Sequence, residues 1–338
     1  MSDIEILSTT TGIGRCELRL SVDLLWQRSL VPAGRLICGE CRRTLLFGVA
    51  FSSLFCETEP SCSQPMRIAS TGRAIFAVTM IGLGIIGLVR RDFVPLWNPA
   101  PNVSAGGLLV SLVSLISLAA GIGLLIRRRA SAAARLLVAT FFLWLVLFRF
   151  PNFLLLPAFA ACWSVFPLMV MLAAALVLYA WFATDWDRDH LGFAVDGNGL
   201  RIARALYGSS LIFFGTAHFI DVKDTLSLIP NWLPGHLFWT YFTGCAFIAA
   251  GVAALTGVCA RLAVTLSVLQ ITLFLLLVWL PIVATGSGNP FQWSETILNV
   301  TLSAAGWVVA DSYRGTKWFD GKTALQAPHG VKSRFIAS

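Results

Sequence analysis

His218 and Asp221 stand three residues apart, and His236 follows across a short connection that contains Pro230 and Pro234. Residues three apart share a helix face, so an imidazole and a carboxylate come together there and a second imidazole is within reach of them. Further along, Glu295 and Asn299 are four apart and again share one face, with Gln270 in the stretch before them. An imidazole exchanges protons near neutral pH and a carboxylate accepts them, so these groups could bind a hydroxyl-bearing headgroup and take its protons. Other motifs carry less. Cys38-Gly-Glu-Cys41 has metal or redox spacing. A structural zinc usually needs a second such pair, which Cys56 and Cys62 are too far apart to supply, and no metal site is expected. Gly82-Leu-Gly84-Ile-Ile-Gly87 fits a dinucleotide fingerprint. That fingerprint requires a strand before it and a helix that starts at the glycines, whereas these glycines lie inside an apolar run, where close helix packing explains them. No HExxH, P-loop or GxSxG pattern occurs, which leaves metalloprotease, NTPase and ordinary serine-hydrolase chemistry without support.

The elements that must position these residues are membrane helices. The chain has 338 residues, of which 57% are hydrophobic and 12% charged; a soluble domain carries about 25% charged residues. Eight stretches are long enough, or nearly so, to cross a bilayer: residues 72–89, 105–126, 133–150, 157–183, 203–220, 236–257, 261–284 and 293–310. Without water in the hydrocarbon core each must satisfy its own backbone, and none alternates as a barrel strand would. An all-α, polytopic membrane helical bundle is therefore expected. The excess of Lys plus Arg (25) over Asp plus Glu (17) would suggest nucleic acid in a soluble protein; here orientation explains it, and no nucleic-acid partner is expected. One side collects Arg67, Arg73, Arg127, Arg128, Arg129, Arg135, Arg188, Arg201, Arg204, Arg261, Arg314, Lys317 and Lys322, and the other has only Arg90, Arg91, Arg149 and Lys223. Both termini are predicted to be cytoplasmic, with His218, His236, Trp232 and Glu295 toward the opposite face.

An internal repeat runs at an offset near 130. Arg73-Ala74 matches Arg204-Ala205, Gly84 matches Gly215, and Pro99 matches Pro230. Ala119-Ala120-Gly121 matches Ala249-Ala250-Gly251, Arg135 matches Arg261 with small shifts, Pro151 matches Pro281, and Trp163-Ser164 matches Trp293-Ser294. Four spans per copy make the copies parallel, against an inverted-repeat transporter. The organisation read from this is an N-terminal extension (1–65), a first four-helix unit (66–186), a cytoplasmic linker (187–200), a second four-helix unit (201–312) and a basic cytoplasmic tail (313–338). The polar residues differ between the copies: opposite His218, Asp221, Trp232 and Glu295 stand Gly87, Arg90, Pro101 and Val165. A site, if present, belongs to the second unit.

Residues 204–311 resemble the DoxX family, through Gly215-Thr216-Ala217-His218-Phe219, then Pro230-Asn231-Trp232-Leu233-Pro234, then a helix from Trp239 to Gly251. The first unit resembles it more faintly, through Gly84, Pro95-Leu96-Trp97-Asn98-Pro99 and Ala119 to Gly121. The resemblance implies a four-helix membrane unit. It also implies a subunit of a redox or stress-related complex in the inner membrane, with a quinone as cofactor and an electron-donating protein as partner. Under that reading His218, Asp221, His236 and Glu295 hold the headgroup, with Trp232, Gln270 and Asn299 in support. Two bland readings stand beside it. Histidine, aspartate and tryptophan at helix ends also serve as interfacial anchors, and polar groups at depth, such as Gln270, as helix glue, which would make the protein a non-catalytic scaffold. A transporter has less support, since no pair of broken helices carries charge at mid-depth. Residues 1–65 match neither unit and are expected to be disordered or untranslated, with Met66 as the start.

Overall fold

The computed structural model describes residues 71–99, 107–286 and 288–319. The expectations for residues 1–65, Met66 as a start site and the cysteines between Cys16 and Cys62 lie outside the described residues, as do Pro101 and Lys322. Among the described residues there is no strand. A helix occupies each of the eight apolar stretches. In the first half these are α1 (Thr71–Arg90), α2 (Gly107–Leu125), α3 (Ala130–Trp144) and α4 (Ala158–Phe182). A short helix α5 (Asp185–Leu191) leads to the second half. There follow α6 (Asp196–Ile220), a short α7 (Val222–Leu228), α8 (His236–Thr256), α9 (Ala260–Phe274) and α10 (Pro290–Asp311).

Six helical segments are long and apolar enough to cross a membrane, and a seventh is reached if α6 and α7, bent by 94° at Asp221, count as one span. The helix α10, with Gln292, Glu295, Asn299 and Asp311, is not among them. The protein is a polytopic helical bundle suited to a lipid bilayer.

Both third helices end in the same irregularity. A π turn covers Leu145–Arg149 after α3 and Leu275–Trp279 after α9. The cause is local: Pro151 and Pro281 lack an N–H, and their rings crowd the carbonyl one turn back. The extra residue of a π turn relieves that clash. In the first half it is closed by the Phe150 N–H donating to the Leu145 carbonyl at 2.9 Å.

Neighbouring helices meet in the order α1, α2, α3, α4, α6, α8, α9, α10 and back to α1, and α4 and α10 also meet each other across the middle. Residues 171–180 of α4 are all buried, so this alanine-rich helix is the central post. The tightest crossings are α1 on α2 and α6 on α8. A Cβ added to Gly84 would lie 2.6 Å from the Ser114 carbonyl, and one on Gly121 2.7 Å from the Ala77 carbonyl. At α6 on α8, a Cβ on Gly215 would lie 2.6 Å from the Gly244 carbonyl and one on Gly251 2.6 Å from the Gly208 carbonyl. Small residues bring these backbones together where apolar burial cannot, because lipid is as apolar as the helix surface.

The arginine-rich end is held by cation–aromatic contacts. Arg73 lies over Phe182 (5.4 Å) and Arg204 over Tyr313 (4.0 Å); Arg135 lies over Trp186 (4.9 Å) and Arg261 over Trp318 (4.1 Å). The segment 187–200, read in the sequence as a cytoplasmic linker, is largely helical. Its start is fixed by Thr184, whose side chain and that of Asp187 cap the first turn of α5 reciprocally. Asp187 is completely buried. It pairs with Arg135 at 2.7 Å and accepts hydrogen bonds from the Tyr179 hydroxyl at 2.8 Å and from the Thr184 hydroxyl and N–H at 2.7 and 2.8 Å. Burial by itself would raise its pKa; these hydrogen bonds and the Arg135 charge outweigh it and hold the carboxyl well below the usual carboxylate range. At the matching end of the second half, burial pushes the Tyr313 hydroxyl up to about 12, with Arg204 opposing it.

Candidate functional site

The polar residues singled out in the second half sit at the end away from the arginines. His218 is in the last turn of α6, half-buried, with Nδ1 2.7 Å from the Phe214 carbonyl. A carbonyl only accepts, so Nδ1 carries the hydrogen and the neutral ring offers Nε2 as an acceptor. The ring is held between Phe247 of α8 (5.6 Å) and Phe274 of α9 (6.1 Å) and therefore points into the bundle.

Glu295 is in the second turn of α10, half-buried, and its carboxylate has no hydrogen bond or ion pair among the described residues. Its direction follows from helix register. The Tyr207 hydroxyl lies 3.1 Å from the Ser267 hydroxyl, joining α6 to α9, and a Cβ on Gly306 would lie 3.3 Å from that same Tyr207 oxygen. His218 is eleven residues beyond Tyr207 and Glu295 eleven before Gly306 on an antiparallel helix, which is about three turns in the same direction for both. His218 and Glu295 thus look onto one interior column between α6, α9 and α10.

The remaining candidates are placed differently. Asp221 is the C-terminal cap of α6, at the bend into α7, and His236 is the first residue of α8; both are half-exposed and neither side chain is hydrogen-bonded among the described residues. No hydrogen bond or ion pair joins any two of His218, Asp221, His236 and Glu295, and among the described residues no group of three or more His, Cys, Asp or Glu could hold a metal ion. Trp232 is 67% exposed. Gln270 donates from Nε2 to the Thr243 carbonyl at 3.1 Å and ties α9 to α8, the role of helix glue. Asn299 donates to the Glu295 backbone carbonyl at 3.1 Å and fixes only its own helix. Of the membrane cysteines, Cys245 is exposed and Cys162 and Cys259 are partly buried.

The corresponding end of the first half is closed. After α1 the chain makes a tight turn, Pro95–Trp97, that drives Trp97 into the bundle to 1% exposure. Its Nε1 donates to the Ser117 hydroxyl at 3.0 Å, and its ring stacks on Phe141 (5.2 Å) with its edge toward Trp144 (5.3 Å). Arg149, counted in the sequence among the orienting charges near span ends, is buried and donates to the Leu96 and Pro95 carbonyls at 2.8 and 3.3 Å, which pins the turn. In the second half the equivalent stretch becomes α7 and leaves at 94°, carrying no side chain inward in this way. The aromatic wall of Phe247 and Phe274 and the plug of Trp97 were not visible as functional elements in the sequence; the one signal was the tryptophan inside Pro95-Leu96-Trp97-Asn98-Pro99. Comparison with protein-family models, with curated proteins and with solved structures gives no match.

Proposed function

We propose that this is a DoxX-like integral membrane protein of two parallel four-helix units, eight spans in all. In this reading its second unit binds a small apolar molecule with a hydroxyl-bearing headgroup, quinone in class, at the end away from the arginines. The observation that carries the reading is the contrast between the plugged first half and the column in the second, where an imidazole acceptor and an unpaired carboxylate face an aromatic wall. These residues fit such a headgroup. Phe247 and Phe274 offer flat apolar faces, His218 Nε2 accepts one hydroxyl hydrogen, and Glu295 accepts another. A quinone held there would supply the redox chemistry, taking two electrons from the electron-donating partner protein and two protons to give the quinol; His218 and Glu295 would orient its two hydroxyls and exchange their protons. The thirteen-to-four distribution of basic residues supports the arginine-rich end, and both termini, in the cytoplasm, and the resemblance to the DoxX family implies the inner membrane. Under the scaffold reading, favoured by Gln270 acting as glue, the polar residues only anchor helix ends.

The test is to purify the full chain from its native membrane, extract the lipid-soluble molecules it retains, and repeat with His218→Gln and with Glu295→Gln. Loss of a retained quinone-class molecule in either variant, at unchanged protein level, supports the binding site. The same molecules retained by all three proteins, or none by any, establish the scaffold.

A further inference from the structure

Of the three glycines in Gly82-Leu-Gly84-Ile-Ile-Gly87, two are explained by close packing: Gly84 and Gly87 both abut Ser114 of α2. Gly82 is not. A Cβ there would meet nothing within 4 Å. One turn further along the same face of α1 lies an open cleft of about 390 Å³ between α1 and α10, lined by Ile85, Ile86, Val89, Arg90, Trp293 and Ile297.

The seam between α4 and α6 relates to this one by the numbering offsets of the two halves, and it has no such opening. Phe166 stacks on Phe213 at 4.5 Å and 11°, with Trp163 at 5.5 Å and Phe159 at 5.8 Å from the same ring. At an offset of 131 Phe213 corresponds to Gly82, and at 130 Phe166 corresponds to Thr296. Trp163 corresponds to Trp293, which is kept. The stacked pair that fills one seam has been removed from the other. The two-unit reading is used only to match the seams; the cleft stands without it.

We infer that the α1–α10 cleft is a binding site for an anionic phospholipid, with one acyl chain in the cleft and the headgroup phosphate on Arg90. The lining is apolar apart from Arg90. In a bilayer, the molecules that meet such a surface are lipids. Arg90 and its neighbour Arg91 are exposed, and neither makes an ion pair or hydrogen bond among the described residues. Asp92, the nearest acid in the chain, accepts a hydrogen bond from the Phe93 N–H at 2.7 Å and sets one anion against these two cations. The mouth therefore carries a net positive charge, which selects a lipid of net negative charge over a zwitterionic one. Trp293, 46% exposed at the rim, is placed to sit at headgroup level.

The experiment uses the full chain in detergent, titrated with phosphatidylglycerol or phosphatidylcholine, with retained lipid counted by native mass spectrometry and stability followed by the thermal midpoint. Wild-type protein should retain phosphatidylglycerol in preference and be stabilised by it. Gly82→Phe, which supplies the ring present in the other seam, should keep or raise the midpoint without lipid and weaken retention by about tenfold, the effect of about two methylenes losing burial. Arg90→Gln should retain lipid but lose the preference between the two headgroups. Should Gly82→Phe fail to fold, Ile86→Trp narrows the same cleft. Equal retention by wild type and the cleft-filling variant overturns the inference, as does retention without headgroup preference in the wild type. A dimer that Gly82→Phe dissociates also overturns it, since a second copy would then be the occupant. None of these outcomes alters the result expected for His218→Gln or Glu295→Gln.

Discussion

The halves 71–182 and 196–311 use the same order of helices, the same small-residue crossing between their first two helices and the same π turn before a proline, yet they finish their two ends differently. The first half is sealed at one end by Trp97 and at the other by Asp187. The second half leaves His218 between the rings of Phe247 and Phe274 and Glu295 without a polar partner among the described residues, and at its arginine-rich end Arg261 donates to the Thr316 carbonyl at 2.8 Å in place of an ion pair. The small-residue crossings at the middle of the bundle are thus common to both halves, and the differences lie at the ends and along the α1–α10 seam. A helical scaffold tolerates that division, because backbone hydrogen bonds are satisfied within each span and the ends are free to vary.

The shared middle is the most sensitive place to break. Gly215→Leu puts a side chain where the Gly244 carbonyl lies 2.6 Å from the new Cβ, so α6 and α8 must separate. Overpacking costs about 1–3 kcal/mol where neighbours can move, and backbone on the facing helix cannot. Loss of folded protein after detergent extraction is the expected result, and the same outcome is expected for Gly84→Leu in the first half. If only one of the two substitutions is tolerated, the crossings are not equivalent.

Next in size is the plug. Trp97→Ala removes a fully buried ring and the hydrogen bond to Ser117, at a cost of about 3–5 kcal/mol, readable as a lowered thermal midpoint. It leaves Arg149 holding a turn with nothing beneath it, so the first half should acquire an end resembling that of the second. Increased access of small probes to Trp144 by fluorescence quenching checks this, and unchanged quenching would mean that Phe93 and Phe148 close the gap by themselves.

The arginine-rich end gives the smallest effect. Asp187→Asn keeps the shape but removes the charge that Arg135 pairs with, for an expected loss of about 1–3 kcal/mol. The sign of the pH dependence follows from the depressed pKa. Asp187 contributes fully above the ordinary carboxylate value of 3.8, and the contribution disappears as pH falls below it through the folded-state value. Between neutral pH and about 3 the wild type should lose stability more steeply than Asp187→Asn, by the difference in thermal midpoint across that range. Arg261→Gln at the equivalent place breaks contacts to a carbonyl and a tryptophan ring, and should leave the acid limb unchanged.

The helices were legible because a lipid-facing span must be a long apolar run; counting the π turn Leu145–Arg149 with α3 and the helical stretch to Ala284 with α9, seven of the eight expected stretches begin and end within about four residues of the observed helices. The exception is α6, which begins at Asp196 and not near Ala203, because its first turns are polar and lie outside the apolar run. Pro151 and Pro281 marked the ends of the third helices, but a π turn and a break look alike in sequence. Charge was misleading in two places. Asp187 read as a residue of the cytoplasmic linker, although Thr184-Asp-Trp-Asp187 already had the spacing of a cap; Arg149 read as an orienting charge at the outer end of a span, since nothing in hydropathy reveals that two carbonyls await it. For the site, helix spacing placed His218 and Glu295 toward the same end, while the separation of the rim residues Asp221 and His236 from the interior pair depends on the bend at Asp221 and could not be read from spacing.

The position of α10 has a consequence for how the protein is made. The helix that touches α1, α4, α6 and α9 is the last of the described helices in chain order, and the first turn of α1 packs against Asp311 at its far end. Helices inserted one after another from the N-terminus therefore cannot finish their assembly in the order of their synthesis. Until residue 311 has emerged, the flanks of α4 and α1 that α10 covers lack their partner, and closure of the ring is a late event that joins the first and last of the described helices.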